Sequence, residues 1–148
     1  MTERDVQKAL RRVRRSGSRH LFVNCHYWCG EADFLQIRKS LRVEEFEIKL
    51  TMSDYKRDFT HKTKKHGRLE LAAVGHKTEG APNRFWFVLP EGLASEIEVP
   101  DYAGLIGVDH FRSPIVMKQA PLIHKKKING VRLDRLLTNA AWRLIDSI

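Results

Sequence analysis

Helix and strand patterns alternate along this chain, which predicts an α/β fold: a mixed central β-sheet flanked by helices. Three observations carry the prediction. An opening helical stretch is followed by three β-rich runs, a helix then precedes a strongly apolar strand, and a further helix and strand come before a helical tail. The 148 residues suit a single domain, 1–148, with a core over about 2–120 and a C-terminal helix over about 130–147.

Thr2 and Asp5 make an N-cap pair, and Val6, Ala9, Leu10 and Val13 share one face of a helix running to about Arg15, where Ser16-Gly17-Ser18 stops it. β-Branched and aromatic residues predict strands over His20 to Trp28, Glu31 to Arg38 and Arg42 to Leu50. Gly30 separates the first two, and Lys39, Ser40 and Leu41 tightly connect the second and third. A second helix starts near Thr51 or Ser53, turns Tyr55 and Phe59 to the core and runs to His66, with Gly67 closing it.

Residues 75–83 have loop composition, and Arg84 to Leu89 is an apolar strand stopped by Pro90. Leu93 to Val99 reads as a short helix, Ala103 to Val108 as a buried strand, and Ile115 to Lys118 as an edge strand beside Pro114. Val131, Leu133, Leu136, Leu137, Ala140, Ala141, Leu144 and Ile145 give a last helix expected to pack on the body. Tyr27, Trp28, Phe85, Trp86 and Trp142 fall in apolar patterns and are assigned to the core.

A net charge of +9 and a pI near 9.8 favour a polyanionic partner. Residues 1–20 carry seven Lys or Arg against two acids, 56–68 six against one, and 112–148 eight against two, whereas 84–111 carry one against five. No apolar run approaches a spanning helix and the start is Arg-rich, so a membrane is not expected and a cytoplasmic protein is. Cys25 and Cys29 support neither a disulfide framework nor a four-ligand zinc site.

The chemistry concentrates in Asp33 and Glu47-Ile48-Lys49. A hairpin centred on Ser40 sets Asp33 opposite Glu47, and strand alternation puts Lys49 on the Glu47 face. Carboxylates facing each other across antiparallel strands stand about 5 Å apart and repel, so the pair needs a compensating cation. Mg²⁺ or Mn²⁺ is the natural choice. Asp33 and Glu47 are the candidate ligands, with the Ile48 backbone carbonyl as a further oxygen, and Lys49 would orient or deprotonate a water or stabilise developing charge. Glu31 falls opposite Lys49 in the same register and is an accessory candidate, either as an ion-pair partner that positions the lysine or simply as a hairpin salt bridge. Glu44 and Glu45 read as ordinary strand acids, although Glu45 shares the Glu47 face.

The pattern Asp33, thirteen residues, then Glu47-x-Lys49, after an opening helix and on consecutive strands, resembles the PD-(D/E)xK nuclease superfamily. Ala32 stands where the motif's proline would. Gly30-Glu31-Ala32-Asp33, Glu47-Ile48-Lys49, Ser53-x-x-x-Arg57-Asp58, Arg84-Phe85-Trp86-Phe87-Val88-Leu89-Pro90 and Ala103-Gly104-Leu105-Ile106 are similar to the MmcB-like DNA repair proteins, over roughly residues 20 to 120. The resemblance implies a restriction-endonuclease-like αβββαβ core and Mg²⁺-dependent DNA cleavage, in repair or recombination. Many members place a glutamate on the opening helix near the metal; this helix offers Glu3 and Asp5, both in its first turn, where capping or the helix dipole also explains an acid.

Lys56, Arg57, Lys62, Lys64 and Lys65 are the candidate DNA-phosphate contacts, the alternative being a solvated helix face. Recognition-helix and finger motifs are missing, so selectivity for a DNA end, flap or junction is expected rather than for a base sequence. A homodimer enters by analogy alone. Two rival readings stand beside the nuclease: a non-catalytic nucleic-acid-binding module on the same fold, and a phage-type protein-interaction factor whose basic surface binds an acidic protein.

Overall fold

The opening helix, α1 (Glu3–Arg14), begins at Thr2, whose hydroxyl accepts the Asp5 N–H while the Asp5 carboxylate accepts the Thr2 N–H. Val6, Ala9 and Leu10 are buried along one face, and a single 3-10 turn over residues 15–17 ends the helix. The structure, a computed structural model, describes residues 1–76 and 79–148; the loop expected over 75–83 includes 77 and 78, which lie outside the described residues.

Three antiparallel strands follow: β1 (Ser18–His26), β2 (Glu31–Arg38) and β3 (Val43–Ile48). Leu41 adopts φ +67° in the β2–β3 turn, and Arg38 N–H donates to Arg42 O at 2.9 Å. That turn sets Phe34 against Phe46, Leu35 against Glu45 and Gln36 against Glu44, the register of a hairpin centred on Ser40. Next come α2 (Met52–His61), capped by the Thr51 side chain, α3 (Thr63–Ala73) and β4 (Arg84–Pro90), which is parallel to β3. A short α4 (Glu91–Ala94) leads to β5 (Ala103–Val108), parallel to β4, then to β6 (Pro114–Lys118), antiparallel to β5, and to α5 (Gly130–Asp146). The six strands lie in the sheet in chain order.

Alternation divides this sheet into two apolar faces. Phe34, Phe46, Trp86, Val88 and Ile106 pack under Val6 and Leu10 of α1. On the other face Leu35, Ile37, Phe85, Phe87 and Leu105 pack against Tyr55 of α2 and Leu69 and Ala72 of α3. Tyr27 and Trp28 are buried just beyond the end of β1.

Three expectations are corrected. The single helix to His66 is two helices that break at Lys62 (φ −113°, ψ 43°), and Gly67 lies inside α3 with open space where a Cβ would stand. The break accompanies the turning of Lys62 and Lys65 onto one carboxylate, described below. The short helix over Leu93 to Val99 is instead the four-residue α4, beginning right after Pro90. The tail helix lies mostly free: Leu136 is its one buried residue, and Trp142, Leu144 and Ile145 are 59%, 70% and 56% exposed. Only its first half meets the body: Leu133 and Leu136 pack on the α2 and α3 side of the core and Arg132 donates to the Tyr27 carbonyl, while farther along Arg143 donates to the Val23 and Asn24 carbonyls of β1. No helix among the described residues is long and apolar enough to cross a membrane.

Candidate metal and phosphodiester site

Alternation along β3 turns Glu45, Glu47 and Lys49 toward α2 and α3. One step beyond the Phe34–Phe46 pair the register brings Asp33 to Glu47. There the strands part. The Ile48 N–H that would continue the β2–β3 ladder donates instead to Asp33 Oδ2 at 2.8 Å. The Ile48 carbonyl leaves the strand on the same edge as its N–H, toward β2. Gln7 of α1 fixes this corner by donating from Nε2 to the Asp33 carbonyl at 3.0 Å and to Asn24 Oδ1 at 3.1 Å.

Glu47 is the centre of the cluster. Its Oε1 accepts Lys62 Nζ at 2.7 Å and Lys65 Nζ at 2.9 Å, and its Oε2 lies 4.0 Å from Lys49 Nζ. That Oε2 is buried and takes no hydrogen bond from an N–H, ammonium or hydroxyl group among the described residues. Lys65 also binds Glu45, so both ends of this buried pair are neutralised. Lys49 Nζ lies 2.6 Å from Asp58 Oδ1, Asp58 Oδ2 meets His66 Nε2 at 2.5 Å, and His66 Nδ1 meets the Tyr102 hydroxyl at 2.5 Å. Asp58 thus holds the lysine from α2, and α3 and the chain just before β5 hold Asp58.

The electrostatics separate the two facing carboxyls. Burial, then the Glu47 charge and a hydrogen bond with Glu47, push Asp33 up to about 8; the nearby Glu3 adds to the rise. Burial also acts on Glu47, but Lys65, the Asp33 bond and Lys62 together hold it below its ordinary value. Of the two carboxyls, Asp33 is thus pushed toward the neutral form and Glu47 toward the ionised one. Asp58 is likewise held low against its burial by bonds from His66 and Lys49. Glu45 is pushed up by burial against the pull of Lys65. With Asp33 neutral, the ion-paired carboxylates Glu45, Glu47 and Asp58 are matched by the ammoniums of Lys49, Lys62 and Lys65.

No protein-family model matches the chain, and no curated protein matches it. Its fold is similar to a solved structure, the SPO1766 protein of unknown function from Silicibacter pomeroyi. The two superpose with a TM-score of 0.60 over 95% of this chain and 84% of that one, at 20% sequence identity. At that identity the likeness shows the fold alone.

Of the residues expected at the site, Asp33, Glu47, Lys49 and the Ile48 backbone come together at one end of the hairpin. Glu31 does not join them: it is exposed, pairs in register with His26 on β1, and Lys49 has Asp58 as its partner instead. Among the expected phosphate contacts, Lys56, Arg57 and Lys64 are exposed on α2 and α3. Lys62 is half-buried and paired with Glu47 and Asp58, while Lys65 is 1% exposed and faces inward. Phosphate contact therefore does not carry over to Lys65, whose ammonium is committed to Glu45 and Glu47.

Sequence reasoning gives Asp58 and Tyr102 no role at the site and counts His66 only in the basic run that would contact phosphates beside it. A signal for two of them exists: Tyr55, Asp58, Phe59, Lys62, Lys65, His66 and Leu69 recur at helical spacing on the stripe that Tyr55 and Phe59 mark as core-facing. Glu44 is another correction. It is buried on the α1 face, bound by Arg38 and Trp86, and is no ordinary strand acid.

Among the described residues no three His, Cys, Asp or Glu side chains form a metal-holding group. The donors at the hairpin end are two carboxylates and a backbone carbonyl. Such an all-oxygen set suits a hard divalent cation that keeps several waters, as Mg²⁺ does. Glu47 Oε2 is buried with no hydrogen-bond partner among the described residues, beside an Asp33 carboxyl that burial and the Glu47 charge push up.

Proposed function

We propose that the chain is a metal-dependent nuclease hydrolysing DNA phosphodiester bonds, in the manner of the PD-(D/E)xK nucleases and MmcB-like repair proteins that its motifs resemble. The observation that carries this reading is the pairing of Asp33 with Glu47 beside Lys49, the last held by Asp58 at 2.6 Å. Asp33, Glu47 and the Ile48 carbonyl would hold Mg²⁺ or Mn²⁺. A bound ion of this kind supplies a Lewis acid at the scissile phosphate and a water of lowered pKa.

The chain's own residues then divide the work. Asp33 gives up its proton on loading, converting a neutral carboxyl into a ligand. Lys49, anchored by Asp58, presents an ammonium where negative charge develops or where the attacking water must be oriented. Lys62 and Lys65 keep Glu47 ionised when no ion is bound. Lys56, Arg57 and Lys64 offer sequence-independent contacts to the phosphate backbone, so affinity should fall steeply with salt.

One observation favours a second reading. Glu47 Oε1 is already taken by two ammoniums, so lysines can stand in for the ion in a nucleic-acid-binding module that does not turn over. Linear, nicked and branched DNA, incubated with Mg²⁺ or Mn²⁺, separates the two. The nuclease cleaves at least one of them, and cleavage is abolished by EDTA, Glu47→Ala or Lys49→Ala in folded protein. The binding module shifts DNA at low salt, cuts none, and shows no metal-dependent thermal shift.

A further inference from the structure

We propose that an arginine-lined cavity on the α1 face of the sheet binds a terminal phosphate, as found in inorganic phosphate or a phosphate monoester. This inference stands apart from the nuclease reading, because Glu44 and Trp86 alternate to the face opposite Glu47. The cavity, about 450 Å³, opens where the β2–β3 turn, the end of α1 and the start of β4 meet. Arg14, Arg38, Arg42 and Arg84 line it with Ser40, and Glu44 is the one acid in the lining. Four guanidiniums against one carboxylate leave an excess of three positive charges in a concave space.

Glu44 cannot neutralise that excess, since both of its oxygens are already engaged. Its Oε2 accepts Arg38 Nη1 at 2.7 Å, and its Oε1 accepts Trp86 Nε1 at 2.8 Å and Arg14 Nη1 at 3.5 Å. The carboxylate therefore orders the arginines around the cavity and leaves most of their donors free, each guanidinium carrying five N–H groups. Arg84 spends one donor on the Ala120 carbonyl, and the Arg42 side chain has no hydrogen-bond or ion-pair partner among the described residues. Arg14 is largely buried, with its guanidinium 5.1 Å from the Phe46 ring centroid and 5.2 Å from that of Trp86.

Guanidinium forks arriving from several elements match a tetrahedral oxyanion with three or more accepting oxygens, whereas a carboxylate is satisfied by one or two forks. A concave pocket further favours a chain end or a free anion over a passing diester.

Calorimetric titration of the full chain in EDTA and physiological salt tests this, with inorganic phosphate as the first probe. The second probe is a short oligonucleotide bearing either a 5′-phosphate or a 5′-hydroxyl. Wild type should bind phosphate, Arg42→Gln should bind it at least tenfold more weakly, and Arg135→Gln, on the exposed side of α5, should match wild type. Arg42 packs no ion pair, so its substitution leaves the fold intact. A 5′-phosphate preference lost in Arg42→Gln supports a nucleic-acid end as the source; phosphate binding without that preference supports a free anion or small monoester. No phosphate binding by wild type, or equal binding by Arg42→Gln, overturns the proposal.

Discussion

Asp33 and Glu47 meet across the end of the β2–β3 hairpin, where Asp33 accepts the Ile48 N–H at 2.8 Å and burial beside the Glu47 charge pushes its carboxyl up to about 8. In the unfolded chain Asp33 loses its proton near 4, whereas in the fold it keeps it to about 8. Between those values folding takes up a proton, so this residue's contribution lowers stability as pH rises from 4 to 8 and is level above. Asp33→Asn, which still accepts the Ile48 N–H, should remove that component. Urea unfolding at pH 5 and pH 8 should show a smaller loss on going to pH 8 for the variant than for wild type; equal losses would contradict the upward shift of Asp33.

Lys65 and Lys64 are adjacent in sequence but opposite in environment. Lys65→Met leaves Glu45 and Glu47 buried without their shared ammonium and should cost about 3–5 kcal/mol. Lys64→Met changes an exposed side chain and should stay within about 0.5 kcal/mol. Chemical denaturation of both variants checks this, and similar values for the two would remove Lys65 from the interior.

In the proposed nuclease, Asp58 acts through Lys49, whose ammonium it holds at 2.6 Å, and not on the substrate. Asp58→Asn weakens the 2.6 Å ion pair while keeping the side chain's shape. Cleavage should fall by about 10–100-fold, in kcat and not in DNA affinity. Lys49→Met should cost more, about 10²–10⁴-fold. Single-turnover rates beside DNA-binding isotherms separate the two terms, and an Asp58→Asn enzyme with the wild-type rate would free Lys49 of any need for its anchor.

Two of the three tryptophans, Trp86 and Trp142, give a packing test. Trp86 is wedged under α1, stacked on Phe46 with ring centroids 6.0 Å apart, and Trp86→Ala should cost about 3–5 kcal/mol. Trp142 stands out on α5, and Trp142→Ala should change stability by about 0.5 kcal/mol or less. A large loss for the second would mean that α5 packs in solution on something, such as a second copy.

Local signals made the hairpin legible. A three-residue turn at Lys39, Ser40 and Leu41 centres the hairpin on Ser40, and that register brings Asp33 to Glu47. The same reasoning misplaced Glu31, because the ladder does not extend to it: Ile48 N–H turns to the Asp33 side chain and the strands separate. Within the basic run on α2 and α3, Lys62 and Lys65 depart from the expectation for a different reason. Charge predicts solvent, but buried Glu45 and Glu47 on β3 draw Lys65 inward, and a residue's partner across the fold is not written in its own neighbourhood. Periodicity identified α5 as a helix, yet said nothing of whether any sheet face remained free to receive it. Asp58 and His66 were visible on the helical stripe, though Tyr102, far along the chain, had no local sign.

In the proposed nuclease one divalent ion displaces the proton of Asp33, and Mn²⁺ calorimetry at pH 6 and pH 8 measures that directly. Wild type should bind one ion at pH 8 and bind it about tenfold more weakly for each pH unit below, as loading must expel the Asp33 proton. Asp33→Asn should bind none at either pH. No Mn²⁺ binding by wild type at pH 8, or equal binding by Asp33→Asn, would contradict the metal site and the hydrolytic function built on it.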